Sequence, residues 1–360
     1  MNAIPLEETH IALGAKMTSF AGFQMPLKYS SDIEEHLCVR DKVGIFDVSH
    51  MGEFLVEGEQ ALALIQKVCS NDASTLIDGQ AQYSCLMNEQ GGIVDDLLIY
   101  RFHNEKYMLV VNAANIQKDK EHILDHNHFA QAKFTDISQE TVLFAVQGPM
   151  AVNVLQRLTE YKLSSIPFYH FKTLSLAGIE EIVVSATGYT GAGGFELYCS
   201  KKHALSLWQS ILKSGKQEGI LPIGLGARDT LRLEKGYCLY GNDIDDATTP
   251  LEAGLKWITK LNKANLLGKD VLLKQKKEGL SKRLVALIAL EKGIPRKGYQ
   301  VYSEDNNLIG NITSGSFSPV LKKGIALAYV SKEYSKHGTK LTVVNKNRAI
   351  SVEISKLPFV

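Results

Sequence analysis

Apolar and polar residues follow two different periods along the first 275 or so residues of the chain. Residues 52–58 (GEFLVEG) alternate as in a strand, whereas residues 59–70 repeat their apolar side chains at helical spacing. Residues 83–101 predict a hairpin, because a Gln-Gly-Gly turn separates two apolar runs. The elements alternate without the regular strand–helix–strand order of a doubly wound sheet, which favours an α+β fold.

Beyond the hairpin, the pattern predicts further strands and helices. The strands cover residues 106–112 and 141–149, and the second strand turns at Gly148. Pro149 then opens a helix at the position where a helix tolerates proline best. Other helices are predicted near residues 113–127, 202–214 and 225–235.

From about residue 275 the pattern changes to short strands, with turn signals between them and almost no helix. These strands predict a separate all-β domain over residues 276–360, either a small barrel or a sandwich. The lysine-rich stretch 268–283 is typical of a solvated boundary. The predicted strands are RLVALIAL (283–290), QVYS (300–303), LIGNIT (308–313), GIALAYV (324–330), TKLTVV (339–344) and AISVEIS (349–355).

The stretch ATGYTGAGGFEL (186–197) contains four glycines followed by a carboxylate. Glycine-rich phosphate loops lead into a helix, whereas this stretch leads into a strand and no lysine follows it. We therefore exclude a nucleotide-binding loop. A tight turn with positive φ is predicted instead at Gly188, Gly191, Gly193 and Gly194.

Glu196 and Tyr189 flank this turn and give it a functional interpretation beside the purely structural one. A backbone without side chains lets a flat ligand approach closely. The Glu196 carboxylate at the edge of the turn can accept paired N–H hydrogen bonds, for example from a 2-amino-pyrimidinone ring.

Residues 92–100 (GIVDDLLIY) contain two adjacent aspartates in a predicted strand, and Asp95 and Asp96 point to opposite faces. A surface sheet can expose one of the two carboxylates, but a strand that is apolar on both faces cannot expose both. A carboxylate in apolar surroundings is costly unless it is paired. We therefore expect one of the two to be functional.

Arg228 lies three residues from both Leu225 and Leu231, on the apolar stripe of a predicted helix. A surface pair with Asp229 or Glu234 is the alternative. An arginine that points inward more often binds a carboxylate of the protein or of a ligand.

The composition narrows the classes of partner. The chain has 40 Lys and Arg against 39 Asp and Glu, and this net charge of +1 gives no electrostatic reason to expect nucleic acid or an anionic membrane as a partner. Five scattered cysteines without a CxxC pair favour reduced thiols. The first residues resemble neither a secretory nor a mitochondrial signal, so we expect a cytoplasmic protein.

Two stretches bear on metal binding. His122, Asp125 and His126 approach the spacing of inverted zincins, but no strong third ligand lies nearby, so a polar helix end is the favoured interpretation. Residues 242–246 (NDIDD) resemble the start of a calcium loop but lack its glycine and its final glutamate. We expect no metal site.

Several segments together resemble the T-protein family of the glycine cleavage system, the tetrahydrofolate-dependent aminomethyltransferases. They follow the family's order and span essentially the whole chain. Residues 235–238 alone also occur in related folate-binding proteins, whereas the longer segment from 224 is highly specific. The matching segments are GIFDVSHMGEF (44–54), GGIVDDLLIYR (91–101), ATGYTGAGGFEL (186–197), GLGARDTLRLEKGYCLYGNDIDDATTPLEAGLKW (224–257) and NITSGSFSPVLKKGIALAYV (311–330).

This resemblance implies an α+β fold of three domains, arranged as a cloverleaf around a central opening that takes the folate. We predict on this basis a folate-binding region over residues 1–275 and a C-terminal β barrel over residues 276–360. The two intertwined subdomains of the first region are 1–50 with 140–245, and 51–139 with 246–275.

The resemblance also implies roles for individual residues, by their positions in the motifs. Asp96 matches the catalytic aspartate of the family, and Glu196 and Arg228 match its substrate-binding residues. The other residues that we assign to the folate site are Met51, Tyr83, Asn112 and Tyr189.

The implied reaction transfers an aminomethyl group from the dihydrolipoyl arm of the lipoylated H-protein to tetrahydrofolate, without a metal or a nucleotide. Its products are methylenetetrahydrofolate, ammonia and the reduced carrier. The sequence leaves open whether Asp96 acts as a base or as an electrostatic stabiliser.

Two alternatives to this activity remain. One is a non-catalytic folate-binding protein of the same superfamily. The other is the folate module of a demethylating dehydrogenase, for which the sequence contains no flavin domain. The chain ends at KLPFV, where eukaryotic members continue with a binding tyrosine, so we expect that contact to be absent or replaced.

Overall fold

The computed structural model describes residues 2–345 and 348–360. The chain divides into two compact units. Unit 1 consists of Met1–Ile65, Ala73–Tyr83 and Leu97–Asp229, and unit 2 consists of Gln66–Asp72, Ser84–Asp96 and Thr230–Val360. The domain and subdomain boundaries expected from the resemblance stay predictions.

Within the described residues, the strands that precede residue 223 form a three-stranded, a five-stranded and a six-stranded sheet. These strands are β1 (Asn2–Ala3), β2 (Lys16–Phe20), β3 (Phe23–Lys28), β4 (Gly44–Asp47), β5 (Gly52–Glu57), β6 (Gln80–Met87), β7 (Ile93–His103), β8 (Lys106–Val111), β9 (Lys133–Asp136), β10 (Thr141–Gln147), β11 (Phe171–Leu176), β12 (Ile179–Ser185), β13 (Gly194–Ser200) and β14 (Leu221–Pro222).

The strand orders are β1-β3-β2, β6-β7-β8-β5-β9 and β11-β12-β13-β10-β4-β14. Neighbours in the six-stranded sheet are antiparallel, except that β14 is parallel to β4. The predicted hairpin corresponds to β6 and β7, and the strands predicted over 52–58, 106–112 and 141–149 correspond to β5, β8 and β10.

The helices mostly follow the periodicity, and none of those described is long and apolar enough to cross a membrane. The α-helices are α1 (Glu7–Ala12), α2 (Asp32–Asp41), α3 (Ala61–Val68), α4 (Ile116–Asp125), α5 (Ala151–Gln156), α6 (Ala204–Ser214), α7 (Leu225–Glu234) and α8 (Lys269–Glu278). Short 3-10 helices cover Ala73–Thr75, Ala113–Asn115, Ser138–Glu140, Leu163–Ser165, Lys201–His203, Lys256–Ile258 and Lys332–Tyr334.

One helix begins later than predicted. Pro149 does not occupy the first turn of α5, because Gly148 has φ 125° and the helix begins only at Ala151, after Met150. The left-handed backbone at Gly148 thus lengthens the turn that follows β10 before helical hydrogen bonding can start.

Alternation along the strands gives the six-stranded sheet two different faces. One face is apolar: Val142, Phe144 and Val146 of β10 belong to the core that includes Trp208 of α6 and Val154 of α5. The residues between them in sequence point to the opposite face, so that face is available for polar side chains.

Unit 2 contains the predicted all-β domain, and it is a barrel and not a sandwich. The six strands close in the order β15-β18-β17-β16-β19-β20 around an apolar core. Its strands are β15 (Lys282–Ala289), β16 (Gln300–Tyr302), β17 (Leu308–Ser318), β18 (Lys323–Ser331), β19 (Lys340–Asn345) and β20 (Arg348–Ser355).

A buried ion pair links the last turn of α7 to this barrel within unit 2. The Arg232 guanidinium donates to Asp243 at 2.8 Å, and both side chains are inaccessible to solvent. The Asp243 carboxylate also accepts hydrogen bonds from Thr313 Oγ1 at 2.6 Å, from Ser314 Oγ at 2.8 Å and from the Leu239 amide at 2.9 Å. Protein donors therefore fill the acceptor sites of this carboxylate.

Candidate active site

Glu196 lies in β13, on the face of the six-stranded sheet opposite the apolar core. Its register partners are Ala145 of β10 and Ser185 of β12. Its neighbours along the strand, Phe195 and Leu197, point into the core instead. Alternation therefore separates the carboxylate from the apolar face, and only 7% of Glu196 is exposed.

The glycine turn before β13 is tight, as predicted, but its glycines serve two purposes. Gly191, Gly193 and Gly194 have φ values of 61°, 77° and 121°, a region that favours glycine. Gly188 does not lie in that region, and the prediction of positive φ is wrong for it. A Cβ at Gly188 would lie 2.0 Å from Gln147 Oε1, so a larger residue there would displace the Gln147 side chain from its hydrogen bonds.

The Gln147 side chain fixes the shape of this turn from β10. Its amide nitrogen donates to the Thr187 carbonyl at 3.1 Å and to the Phe195 carbonyl at 3.5 Å, while its oxygen accepts from Thr190 Oγ1 at 2.8 Å. The side chain thus joins the two ends of the turn, which positions the first residues of β13 and with them Glu196.

The surroundings of Glu196 shift its pKa in two opposite directions. Burial raises the pKa of the carboxyl above its ordinary value, whereas the Thr187 hydroxyl, which donates at 2.5 Å, and the Arg228 guanidinium lower it. The net direction is upward. The carboxylate is therefore held in a site that favours ligands able to donate hydrogen bonds to it.

Arg228 and Tyr189 come together in unit 1. The guanidinium carbon lies 4.7 Å from the centre of the Tyr189 ring, within cation–π range. Arg228 itself is half-buried, and the fully buried positions of α7 in unit 1 include Ala227. The arginine therefore lies at the edge of the helix's apolar stripe, not at its centre. Glu234, offered as a surface partner, is buried instead.

His50 is a buried residue that feels the charge of Arg228 and that the sequence analysis did not single out. It is 2% exposed, and the rings of Phe20 and Phe23 pack edge-on against it. Burial and the positive charge of Arg228 lower the pKa of His50 to about 3, although Asp47 raises it. The imidazole is thus neutral beside Arg228. Its position next to Met51 in the segment GIFDVSHMGEF is the signal that could have identified it.

Met51 and Asn112 are brought together at one end of the ladder between β5 and β8. Gly52 pairs with Val111 in that ladder, so the residues just outside it, Met51 and Asn112, are neighbours. Both are half-buried, as is Tyr83 in the edge strand β6. The assignment of these residues to a folate site stays a prediction.

Asp95 and Asp96 are adjacent residues of β7 in unit 2, and their burial differs. Asp95 is completely buried, whereas Asp96 is half-buried. Burial, followed by the charge of Asp96, raises the pKa of the Cys85 thiol, and burial, Asp243 and then Asp96 raise that of Cys238. Asp96 is thus the more accessible carboxylate of the pair, in a neighbourhood that includes two thiols.

Residues of the two candidate metal motifs interact with other groups of the protein. The rings of His122 in α4 and His126, which caps this helix, are tilted against each other with centres 4.5 Å apart, and His126 Nδ1 donates to the His122 carbonyl at 2.8 Å. Asp243 of the NDIDD stretch is paired with Arg232. Over residues 2–345 and 348–360, no group of three or more His, Cys, Asp or Glu could hold a metal ion.

Comparison with known proteins agrees with this architecture. Residues 6–263 match the model of the GCVT N-terminal domain, and residues 282–360 match the glycine cleavage T-protein C-terminal barrel domain. An aminomethyltransferase from Phocaeicola vulgatus is 51% identical over 360 residues, which is 100% of this chain and 99% of that protein. An aminomethyltransferase from Halothermothrix orenii is 47% identical over the full length of both chains.

A solved structure extends this likeness to three dimensions. The crystal structure of glycine cleavage system aminomethyltransferase T from Bartonella henselae has a TM-score of 0.93 to this chain and 34% sequence identity. The match covers 100% of this chain and 98% of that one. The chain belongs to the aminomethyltransferase family, the T-proteins of the glycine cleavage system.

Proposed function

We propose that this chain is the aminomethyltransferase of a glycine cleavage system, with tetrahydrofolate as its co-substrate and a lipoylated carrier, the H-protein, as its transient partner. It transfers the aminomethyl carbon from the dihydrolipoyl arm to tetrahydrofolate and releases ammonia. The observation that supports this best is the buried Glu196 carboxylate behind a glycine turn, in a chain that matches family members over its whole length.

Glu196 binds the pterin edge in this proposal. A tetrahydrofolate pterin presents a 2-amino group and a ring N–H side by side, and a carboxylate accepts such a pair well. Thr187 occupies part of the acceptor capacity of Glu196, and no other hydrogen-bond donor among the described residues reaches this carboxylate, which leaves lone pairs for the ligand. Apart from Tyr189 and Thr190, the turn from Gly188 to Gly194 consists of glycine and alanine, which allows a flat ring to approach.

Arg228 binds an anionic group of a substrate in the same unit. Its guanidinium lies over the Tyr189 ring, and this contact restrains the planar fork before the ligand arrives. The neutral His50 beside it adds no competing positive charge. Met51, Tyr83 and Asn112 complete the folate site as half-buried side chains that can pack against the ligand.

Asp96 performs the catalytic role. The transferred carbon acquires positive charge as it leaves sulfur, and a fixed carboxylate stabilises such charge more in the transition state than in the ground state. Its half-buried position leaves it accessible, whereas Asp95 is completely buried. A base that accepts a proton from a folate nitrogen is the second role open to Asp96.

The test is ammonia release from the aminomethylated H-protein, measured with and without tetrahydrofolate. We expect ammonia release to accelerate strongly when tetrahydrofolate is added, with one methylenetetrahydrofolate formed for each ammonia. A protein that binds tetrahydrofolate but does not accelerate release would be a folate-binding protein without this activity. The comparisons give no support to that alternative. The cytoplasmic location remains part of the proposal.

A further inference from the structure

A row of buried hydroxyl groups leads to Glu196 within unit 1. Thr187 Oγ1 lies 2.5 Å from Glu196 Oε2, and Tyr100 Oη lies 3.2 Å from the same Thr187 oxygen. Tyr198 Oη in turn lies 2.9 Å from Tyr100 Oη. Ser185 Oγ joins at Thr187, at 2.8 Å. All five side chains are buried, so water does not compete for these hydrogen bonds.

Counting protons fixes the direction of every bond in this row when Glu196 is ionised. Each hydroxyl has one proton to donate. Thr187 donates its proton to Glu196, so both Ser185 and Tyr100 must donate to Thr187. Tyr100 has then used its proton, so Tyr198 must donate to Tyr100. All the O–H dipoles therefore point toward the carboxylate.

We propose that this directed row of hydroxyls keeps Glu196 ionised and oriented for the ligand, and that Thr187 and Tyr100 are positioning residues for the reaction. The proposal rests on the proposed function, because it assigns a purpose to the site in which Glu196 binds the pterin. Hydrogen bonds to an ionised group are stronger than neutral ones, and aligned hydroxyls polarise one another. A buried carboxyl without such donors would tend to take up a proton, and a protonated carboxyl cannot accept two N–H bonds on both oxygens equally well.

The neighbouring charged groups either favour the ionised form of Glu196 or keep the Tyr198 donor protonated. Arg228 on α7 lowers the pKa of Glu196, as does the Thr187 hydroxyl. Burial and the neighbouring Tyr100 and Glu196 raise the pKa of Tyr198, with a smaller contribution from Glu53 on β5, so the Tyr198 phenol keeps its proton. The phenol at the start of the row is therefore a permanent donor.

The sharpest test is the pH dependence of tetrahydrofolate affinity in Thr187→Val and Thr187→Ser. Valine keeps the shape of threonine but removes the hydroxyl, whereas serine keeps it. Affinity should fall at acid pH as Glu196 is protonated. In Thr187→Val the midpoint of this fall should move to higher pH by about one to two units, the equivalent of one hydrogen bond to a charged group. Thr187→Ser should restore the wild-type profile.

Thr141→Val is a matched control in the same sheet. Thr141 lies in β10, opposite Ser200 at the far end of β13, and its hydroxyl donates to the Ile137 carbonyl at 3.0 Å. The substitution removes one hydroxyl from the sheet without touching the row. We expect its pH profile to match the wild type.

Tyr100→Phe provides a second test of the proposal if Thr187→Val does not fold. It removes the next donor along the row, so its midpoint should move in the same direction as in Thr187→Val but by a smaller amount. Tyr198→Phe, one step further from Glu196, should move it least. This graded order is expected if the hydroxyls act as a directed row, and it is not expected if the substitutions only loosen the structure around Glu196.

The outcomes separate this inference from the proposed function. If the wild type binds tetrahydrofolate and Thr187→Val weakens binding by the same factor at every pH, the row is only structural and the inference is wrong. A wild-type protein that binds no tetrahydrofolate at any pH would instead overturn the proposed function, and this inference with it.

Discussion

Two buried carboxylates, Glu196 in unit 1 and Asp243 in unit 2, have opposite surroundings. Asp243 accepts hydrogen bonds from Arg232, Thr313, Ser314 and a backbone amide. Glu196 accepts from Thr187, the one hydrogen-bond donor that residues 2–345 and 348–360 give it, and burial raises its pKa. A carboxylate has about four acceptor positions, so the protein fills those of Asp243 and leaves some of those of Glu196 open.

This difference separates a structural carboxylate from a binding one. A fully paired buried charge holds elements together, and removing its partner is costly. A partly paired one costs stability on its own and regains that energy when a ligand supplies the missing donors. Stability and ligand affinity should therefore respond in opposite ways to substitutions at the two sites.

The largest effect is expected for Arg232→Ala. This change leaves Asp243 as an uncompensated buried charge, which should lower the free energy of unfolding by about 3–5 kcal/mol. Urea unfolding followed by circular dichroism measures it. Tetrahydrofolate affinity of the protein that remains folded should be unchanged.

Lys201→Ala is the control for Arg232→Ala, because Lys201 pairs with Glu140 at 3.4 Å on an exposed surface. Its unfolding curve should superimpose on that of the wild type. If Arg232→Ala is as stable as this control, the ion pair of unit 2 is not structural and the comparison fails.

Asp95 and Asp96 allow the same comparison, between a structural and a functional carboxylate, within one strand. If Asp96 stabilises charge that appears in the transition state, Asp96→Asn should lower kcat by about a hundredfold or more and leave tetrahydrofolate affinity nearly unchanged. The completely buried Asp95 should behave differently. Compared with Asp96→Asn, Asp95→Asn should lower kcat less and lower the free energy of unfolding more.

Steady-state kinetics, tetrahydrofolate titration and urea unfolding of both variants decide between these roles. Equal losses of turnover would mean that the two side chains do not differ in function as their burial suggests. A loss of affinity without a loss of turnover would make Asp96 a binding residue.

The sequence was sufficient for features that depend on local periodicity. Short apolar runs separated by turn signals predicted the strands of the barrel, and the five matching segments together were sufficient for the family. Features that depend on distant residues could not be read in this way. The space at Gly188 is limited by the side chain of Gln147, which lies in another strand.

The row of hydroxyls that ends at Glu196 is the clearest example of this limit. Tyr100 and Thr187 are 87 residues apart in the chain, and neither has an unusual local pattern. His50 was missed for the same reason, because its lowered pKa comes from burial and from Arg228 on a distant helix. Periodicity reports which face a side chain occupies but not which side chain it meets there.

Glu196→Ala tests the binding carboxylate directly. Loss of the acceptor should weaken tetrahydrofolate binding by about 1–3 kcal/mol, because buried donors of the ligand are left unpaired. Stability at neutral pH should be maintained or should increase, since a carboxyl whose pKa is raised by burial is costly to the folded state. Calorimetric titration and urea unfolding measure the two quantities.

Glu140→Ala, on the exposed surface, is the matched control for Glu196→Ala and should change neither quantity. Normal tetrahydrofolate binding by Glu196→Ala would mean that the glycine turn is purely structural. A large loss of stability would place Glu196 in the same class as Asp243.

The smallest effect concerns Glu53, another buried carboxyl, which lies in β5 of unit 1. It is 1% exposed, and within the described residues neither of its carboxyl oxygens has a hydrogen-bond partner. Burial, and to a lesser degree Asp136, raise its pKa well above the ordinary range. The folded protein therefore binds a proton that the unfolded chain releases above about pH 4.3.

The sign of the resulting pH dependence follows from this difference in proton binding. Because the folded state holds more protons, stability is lost as the pH rises above the unfolded pKa and toward the folded one. Glu53→Gln cannot titrate, so its stability relative to the wild type should increase by up to about 1.4 kcal/mol between pH 5 and pH 6. Glu57→Gln, on the same strand and paired with Lys106 at its half-exposed end, should show no such trend. A Glu53→Gln stability difference that stays constant with pH would mean that Glu53 is ionised in the folded protein and therefore has a partner, like Asp243.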